Sequence, residues 1–141
     1  MEDIRSVLNQ FHAKTKKDPE AQKSPASPVE TASSSEIPDV FFDSILKTYK
    51  LNRQEISLLM YLYRQVWCRP NLYKSHGIGP LHSYTDICTL LGISLDEFNH
   101  SLRTLQNYGF LETVRAGQYF VRKFFTEELD TKFGQNYDSF F

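Results

Sequence analysis

The chain has 141 residues, of which 40% are hydrophobic and 23% charged, with a formal net charge of −1. That composition excludes a fibrous or wholly disordered protein and leaves room for one modest domain and an appendage. No apolar run approaches the roughly 20 residues a membrane span needs, and the start "MEDIRSVLNQFHAK" lacks the basic opening and continuous apolar stretch of a secretion signal, so a cytoplasmic location is expected.

Charge is not concentrated anywhere. Five of the 16 basic and six of the 17 acidic residues fall in residues 1–36, which leaves eleven of each for 37–141. Non-specific affinity for a duplex comes mainly from Lys and Arg neutralising phosphates, so any nucleic-acid reading must rest on local patches. The two cysteines, Cys68 and Cys88, lie in apolar helical segments and read as buried reduced thiols.

Residues 1–14 place Ile4, Val7, Leu8 and Phe11 in one narrow stripe at helical spacing, the pattern of an amphipathic helix. Residues 15–36, rich in Pro, Ser, Lys and Glu, offer almost no large apolar side chain to offset the entropy of ordering and read as a flexible linker. The domain proper is expected over 37–134. Its first helix runs from about Pro38 to Tyr49, with Val40, Phe41, Ile45, Leu46 and Tyr49 as core.

Asn52 and Glu55 have capping-box spacing ahead of "ISLLMYLYRQVWC", which is apolar nearly all round and is expected to run through the middle of the domain. The loop "RPNLYKSHGIGP" ends it, and a short strand is expected at "PLHS". Ser83 with Asp86, and Ser94 with Glu97, give two further capping signals on either side of the turn "GIS", so two helices end near Leu91 and Tyr108. "FLETV", "RAGQ" and "YFVRKFF" read as strand, turn and strand. Thr126 caps a short helix over "EELDTKF", and residues 135–141 form an aromatic tail. The fold class expected is therefore mainly α with a small antiparallel β-hairpin, a winged helix-turn-helix preceded by a linker and an amphipathic helix.

"LNRQEISLLMYLYRQVWCRPN" followed by "SYTDICTLLGISLDEFNHSLRTLQNYGFLE" resembles the winged-helix domain at the front of plasmid and phage replication proteins and of DnaD-like replication proteins. The resemblance covers about residues 38–125 and implies a DNA-binding module.

At about 100° per residue, the second helix of the pair gathers Leu95, Phe98, Leu102 and Leu105 on a core stripe and sets Asp96, His100, Arg103, Thr104 and Asn107 opposite. Arg, Asn and Thr suit guanine, adenine and thymine edges in the major groove; Asp96 and Glu97 oppose phosphate but fit the positive end of the helix dipole. Arg115 at the hairpin turn, with Arg122 and Lys123 on the returning strand, is a candidate backbone contact, alternatively a soluble edge. Tyr84 opens the preceding helix and is a further candidate, as are Arg69, Lys74 and His76 in the loop before it.

No paired Cys or His spacing suggests a metal, no Gly-rich loop a nucleotide, and no nucleophile turn an enzyme, so neither cofactor nor catalysis is expected. The stripe Ile4, Val7, Leu8, Phe11 and the terminal Phe140 and Phe141 are candidate partner-binding residues, in cis, in a homodimer or on another protein. Two functions are expected in contrast. One is a non-enzymatic DNA-binding protein, a small transcriptional regulator or accessory replication factor, acting as a dimer on double-stranded DNA. The other is a protein-interaction adaptor without DNA binding.

Overall fold

The structure, a computed structural model, describes residues 32–139. The stripe Ile4, Val7, Leu8 and Phe11, most of the linker, and Phe140 and Phe141 lie outside the described residues. The compact unit that carries the fold begins at Ser35, two residues ahead of the expected boundary.

The first helix, α1, opens with hydrogen bonds to Pro38 and Asp39 and consists of a π-helical turn, Phe41–Ile45, continuing as Leu46–Thr48. Phe41 and Ile45 are buried as expected, but Leu46 is not: it is 39% exposed. The Leu46 N–H donates to Phe41 O, five residues back, and this wider turn carries Leu46 off the buried stripe.

Helix α2, Arg53–Tyr63, starts at the expected capping box: Asn52 Oδ1 accepts from the Glu55 amide at 2.8 Å and Glu55 Oε1 accepts from the Asn52 amide at 2.9 Å. It runs on through a second π-helical turn, Arg64–Cys68. Leu58, Leu59, Leu62, Tyr63 and Val66 are buried, while Ile56, Met60, Tyr61 and Trp67 are half-buried at the edges of the core. The helix is thus central but presents one side outward.

The short strand expected at "PLHS" does not form; the chain makes an isolated bridge two residues earlier. Ile78 bridges Phe120, with Gly79 N–H donating to Tyr119 O at 3.1 Å and Val121 N–H to Gly77 O at 2.8 Å. Asn71 holds this segment by donating to Ile78 O at 2.7 Å. Gly77 allows the approach, because a Cβ there would stand 2.8 Å from the rings of Phe120 and Tyr137.

Helices α3, Tyr84–Leu91, and α4, Leu95–Asn107, flank a tight turn. Ser94 and Glu97 form the expected capping box, with both bonds at 3.1 Å. Ser83 does not cap α3; its hydroxyl pairs with Thr85 Oγ1 at 2.6 Å, a competing local bond of the kind short hydroxyl side chains make.

Strands β1, Leu111–Arg115, and β2, Gln118–Val121, pair antiparallel with an irregularity between Thr113 and Arg115. The second strand ends at Val121, short of the expected span. Phe125, buried and with φ +76, then turns the chain into α5, Glu127–Lys132, capped by Thr126 as expected. Its ring stacks on Tyr63 at 5.1 Å and meets Phe41 at 5.2 Å, contacts that hold the unfavourable backbone angle in place.

Residues 135–139 fold back on the domain. Tyr137 packs its ring on Phe120 and Trp67, and Asp138 N–H donates to Ser75 O at 3.0 Å. The architecture is mainly helical with one small two-stranded antiparallel sheet, and from α1 to α5 the order of helices and hairpin is the one read from the sequence.

Candidate nucleic-acid interface

Helix α4 has three distinct sides. Phe98, Ser101 and Leu105 are its buried residues. Compared with the expected stripe, Ser101 takes an inner position, Leu102 is half-buried, and Leu95 is 47% exposed. The reason is the hairpin. Leu95, Asn99, Leu102 and Gln106 share the side that faces β1, where Gln106 Nε2 donates to Thr113 Oγ1. Leu95, Phe98, Asn99 and Leu102 line a cleft of about 300 Å³ with Thr113, Ala116, Tyr119 and Tyr84.

The outward side carries Asp96, His100, Arg103 and Asn107, all exposed. Thr104 is half-buried, and its hydroxyl donates to His100 O at 3.1 Å within the helix. Glu97, whose placement on the outward face would weaken an anion-binding role, is turned away: it closes the cap and accepts from Gln54 Nε2 of α2. Asp96 remains on the face.

Arg115 stands at the hairpin turn, exposed, with its Nε donating to Gln118 Oε1 at 2.9 Å, and its neighbour Ala116 lines the cleft with Leu95. The turn is anchored where Gly117 O accepts from the His82 amide at 2.7 Å. Gly117 has φ +84, and a side chain there would strike His82 O, so this close approach needs glycine. The His82 ring rests against Tyr61, its Nε2 has no hydrogen-bond partner among the described residues, and burial lowers its pKa below the ordinary histidine value. Tyr84, 42% exposed, stacks on Phe98 at the cleft mouth, so it belongs with this face.

Arg122 and Lys123 do not. Side chains alternate across a strand, and Tyr119 and Val121 point into the core, so Phe120 and Arg122 point out of the opposite face of the hairpin. There Arg122 pairs with Asp130 at 3.2 Å and lies over the Phe120 ring. Lys123 Nζ sits 5.6 Å from the Trp67 ring centroid. Lys74 and His76 are also elsewhere: His76 Nδ1 is 2.9 Å from Asp138 O, beside the C-terminal segment.

No family model, no curated protein and no solved structure matches this chain. The site must therefore be judged on its own chemistry. Among the described residues no group of three or more His, Cys, Asp or Glu is placed to hold a metal, and no helix is long and apolar enough to cross a membrane. Cys68 and Cys88 are free thiols, Cys88 buried and Cys68 half-buried. Hydrogen-bond donors and acceptors in one row on an exposed helix, with a cation on the adjoining turn, are equipped to read base edges and phosphates.

Proposed function

We propose that the chain is a non-enzymatic winged-helix protein that binds double-stranded DNA in the cytoplasm as a dimer, serving as a small transcriptional regulator or accessory replication factor. The supporting observation is the exposed outward row His100, Arg103 and Asn107 on α4, together with Arg115 exposed on the hairpin turn. Arg103 donates to guanine, Asn107 pairs with adenine, and Asp96 accepts from a cytosine amine. Arg115 contacts the backbone.

Fluorescence anisotropy of a labelled mixed-sequence duplex across a salt series tests the reading. Micromolar or tighter binding that weakens steeply with salt is expected, as is a loss of about 1–3 kcal/mol at a preferred site in Arg103→Ala. Absence of binding at low salt, or unchanged affinity in both Arg103→Ala and Arg115→Ala, would overturn it.

A second reading, a protein-interaction adaptor, is favoured by the apolar cleft between α4 and the hairpin, where Leu95 and Tyr84 are substantially exposed. It predicts that Leu95→Glu abolishes capture of a partner while the protein stays folded and binds no duplex.

A further inference from the structure

The connection between α1 and α2, "YKLNRQ", is tied to both ends of α4. At the C-terminal end, Tyr49 lies 4.9 Å from Tyr108 and 4.8 Å from Phe110, ring centre to ring centre. At the N-terminal end, Gln54 donates to Glu97. The four residues between these anchors therefore run alongside the helix, on the flank opposite the hairpin. Leu51 packs against the core and Asn52 caps α2, which leaves Lys50 and Arg53 exposed along this edge. The described residues contain one ion pair, Arg122 with Asp130, so neither cation is paired within the fold. Of the carboxylates on α2 and at the start of α4, Glu55 is buried in its cap and Glu97 is bonded to Ser94 and Gln54.

We infer that Lys50 and Arg53 are a phosphate-binding edge, placed to grip the DNA backbone on the side of α4 away from Arg115. The inference rests on the duplex-binding reading of α4 and names the second strand contact of that same face. An α-helix with its side chains is about 10–12 Å across, and the major groove of B-DNA is about 12 Å wide. A helix that fills the groove brings whatever flanks it on either side against the two phosphate backbones that border it. Arg115 meets one and the pair Lys50 and Arg53 the other. The row on α4 carries base readout, whereas these edge cations carry affinity irrespective of sequence.

The test is the salt dependence of duplex affinity for the full chain, compared with the double variants K50A/R53A and K74A/K132A. The second pair removes the same charge from surfaces away from α4. Each phosphate contact contributes about 0.9 to the slope of log K against log salt, so K50A/R53A is expected to flatten the slope by about 1.8 and weaken binding by tens of fold near 0.1 M salt. The loss should be uniform across duplex sequences, unlike that in Arg103→Ala. K74A/K132A is expected to leave the slope within about 0.5 of the parent. If the parent binds and K50A/R53A keeps its slope, or if the control flattens it equally, the edge assignment is overturned while duplex binding stands. If the parent binds no duplex at low salt, the reading of α4 fails and the edge assignment with it. Both substituted residues are exposed and make no capping bond, so thermal unfolding of K50A/R53A should match the parent.

Discussion

Replacing Asp130 by alanine should cost this domain much of its stability, and the cost can be traced bond by bond. Asp130 is buried, and its carboxylate accepts from Arg122 Nη1 at 3.2 Å, from Tyr137 OH at 2.7 Å and from the Phe124 amide at 2.9 Å. In Asp130→Ala the Phe124 amide loses its acceptor outright, a penalty of about 1–3 kcal/mol. Tyr137 OH still accepts from the Lys123 amide at 2.8 Å but its proton has nowhere to go, and burial beside Asp130 already holds this phenol neutral by pushing its pKa well up. Arg122, with 20% of its side chain exposed, can turn partly to water, so its share falls at the low end. Together these give about 3–5 kcal/mol, the range for removing one partner of a buried ion pair. For a domain near 100 residues each kcal/mol lowers Tm by about 4–8 °C, so a fall of at least about 12 °C is expected. Urea unfolding followed by circular dichroism measures it directly. A loss below about 1 kcal/mol with an unchanged m-value would refute the account of this network as the clamp on residues 122–138.

Gly117→Ala, at φ +84 and against His82 O, should destabilise by about 1–3 kcal/mol and loosen the hairpin turn, seen as faster amide exchange at His82 and Gln118; unchanged exchange would count against the anchor. His82 has a pKa lowered by burial, so the folded state resists the proton that the unfolded chain accepts. Its contribution to stability is full above the ordinary histidine pKa of about 6.5 and falls as pH drops below it, and H82N should flatten the dependence of Tm on pH between about 7.5 and 5.5. Equal slopes in parent and variant would remove His82 as the source. Burial also raises the Cys88 thiol, while Cys68 is half-buried and donates to Glu36 O at 3.3 Å near the surface. An alkylating probe should therefore modify Cys68 first in the folded protein, and peptide mapping that finds Cys88 first would contradict this.

What the sequence made legible was local. The capping boxes at Asn52 and Ser94 join residues three apart, so their chemistry is written within a single turn, and both form. Ser83 carried the same spacing and failed because Thr85, two residues away, offered its hydroxyl a nearer partner. The wide turn in α1 has no such mark, and with it went the placement of Leu46. The bridge at Ile78 was hidden by the glycines on either side, which in isolation signal a break but here permit close approach to β2.

The candidate site shows the same division between local and distant information. His100, Arg103 and Asn107 follow from helical periodicity alone, and Arg115 from its place at a turn. Arg122 was also decidable in principle: once Tyr119 and Val121 are taken as core, the two-residue period of a strand sends Phe120 and Arg122 to the other face. Lys50 and Arg53 were not decidable, since nothing within "YKLNRQ" indicates which helix it will lie along. That placement depends on Tyr49 meeting Tyr108 and Gln54 meeting Glu97, contacts between residues more than forty apart in the chain. The near-neutral total charge is misleading for a related reason. Among the described residues no ion pair engages the exposed cations Arg103, Arg115, Lys50 and Arg53, while Asp96 lies on the face itself and Glu97 keeps its charge within its cap. Under the proposed reading, the groups that a phosphate backbone would meet are the ones exposed around α4, so the placement of these cations and of Asp96, and not the total charge of the chain, sets the electrostatic gain.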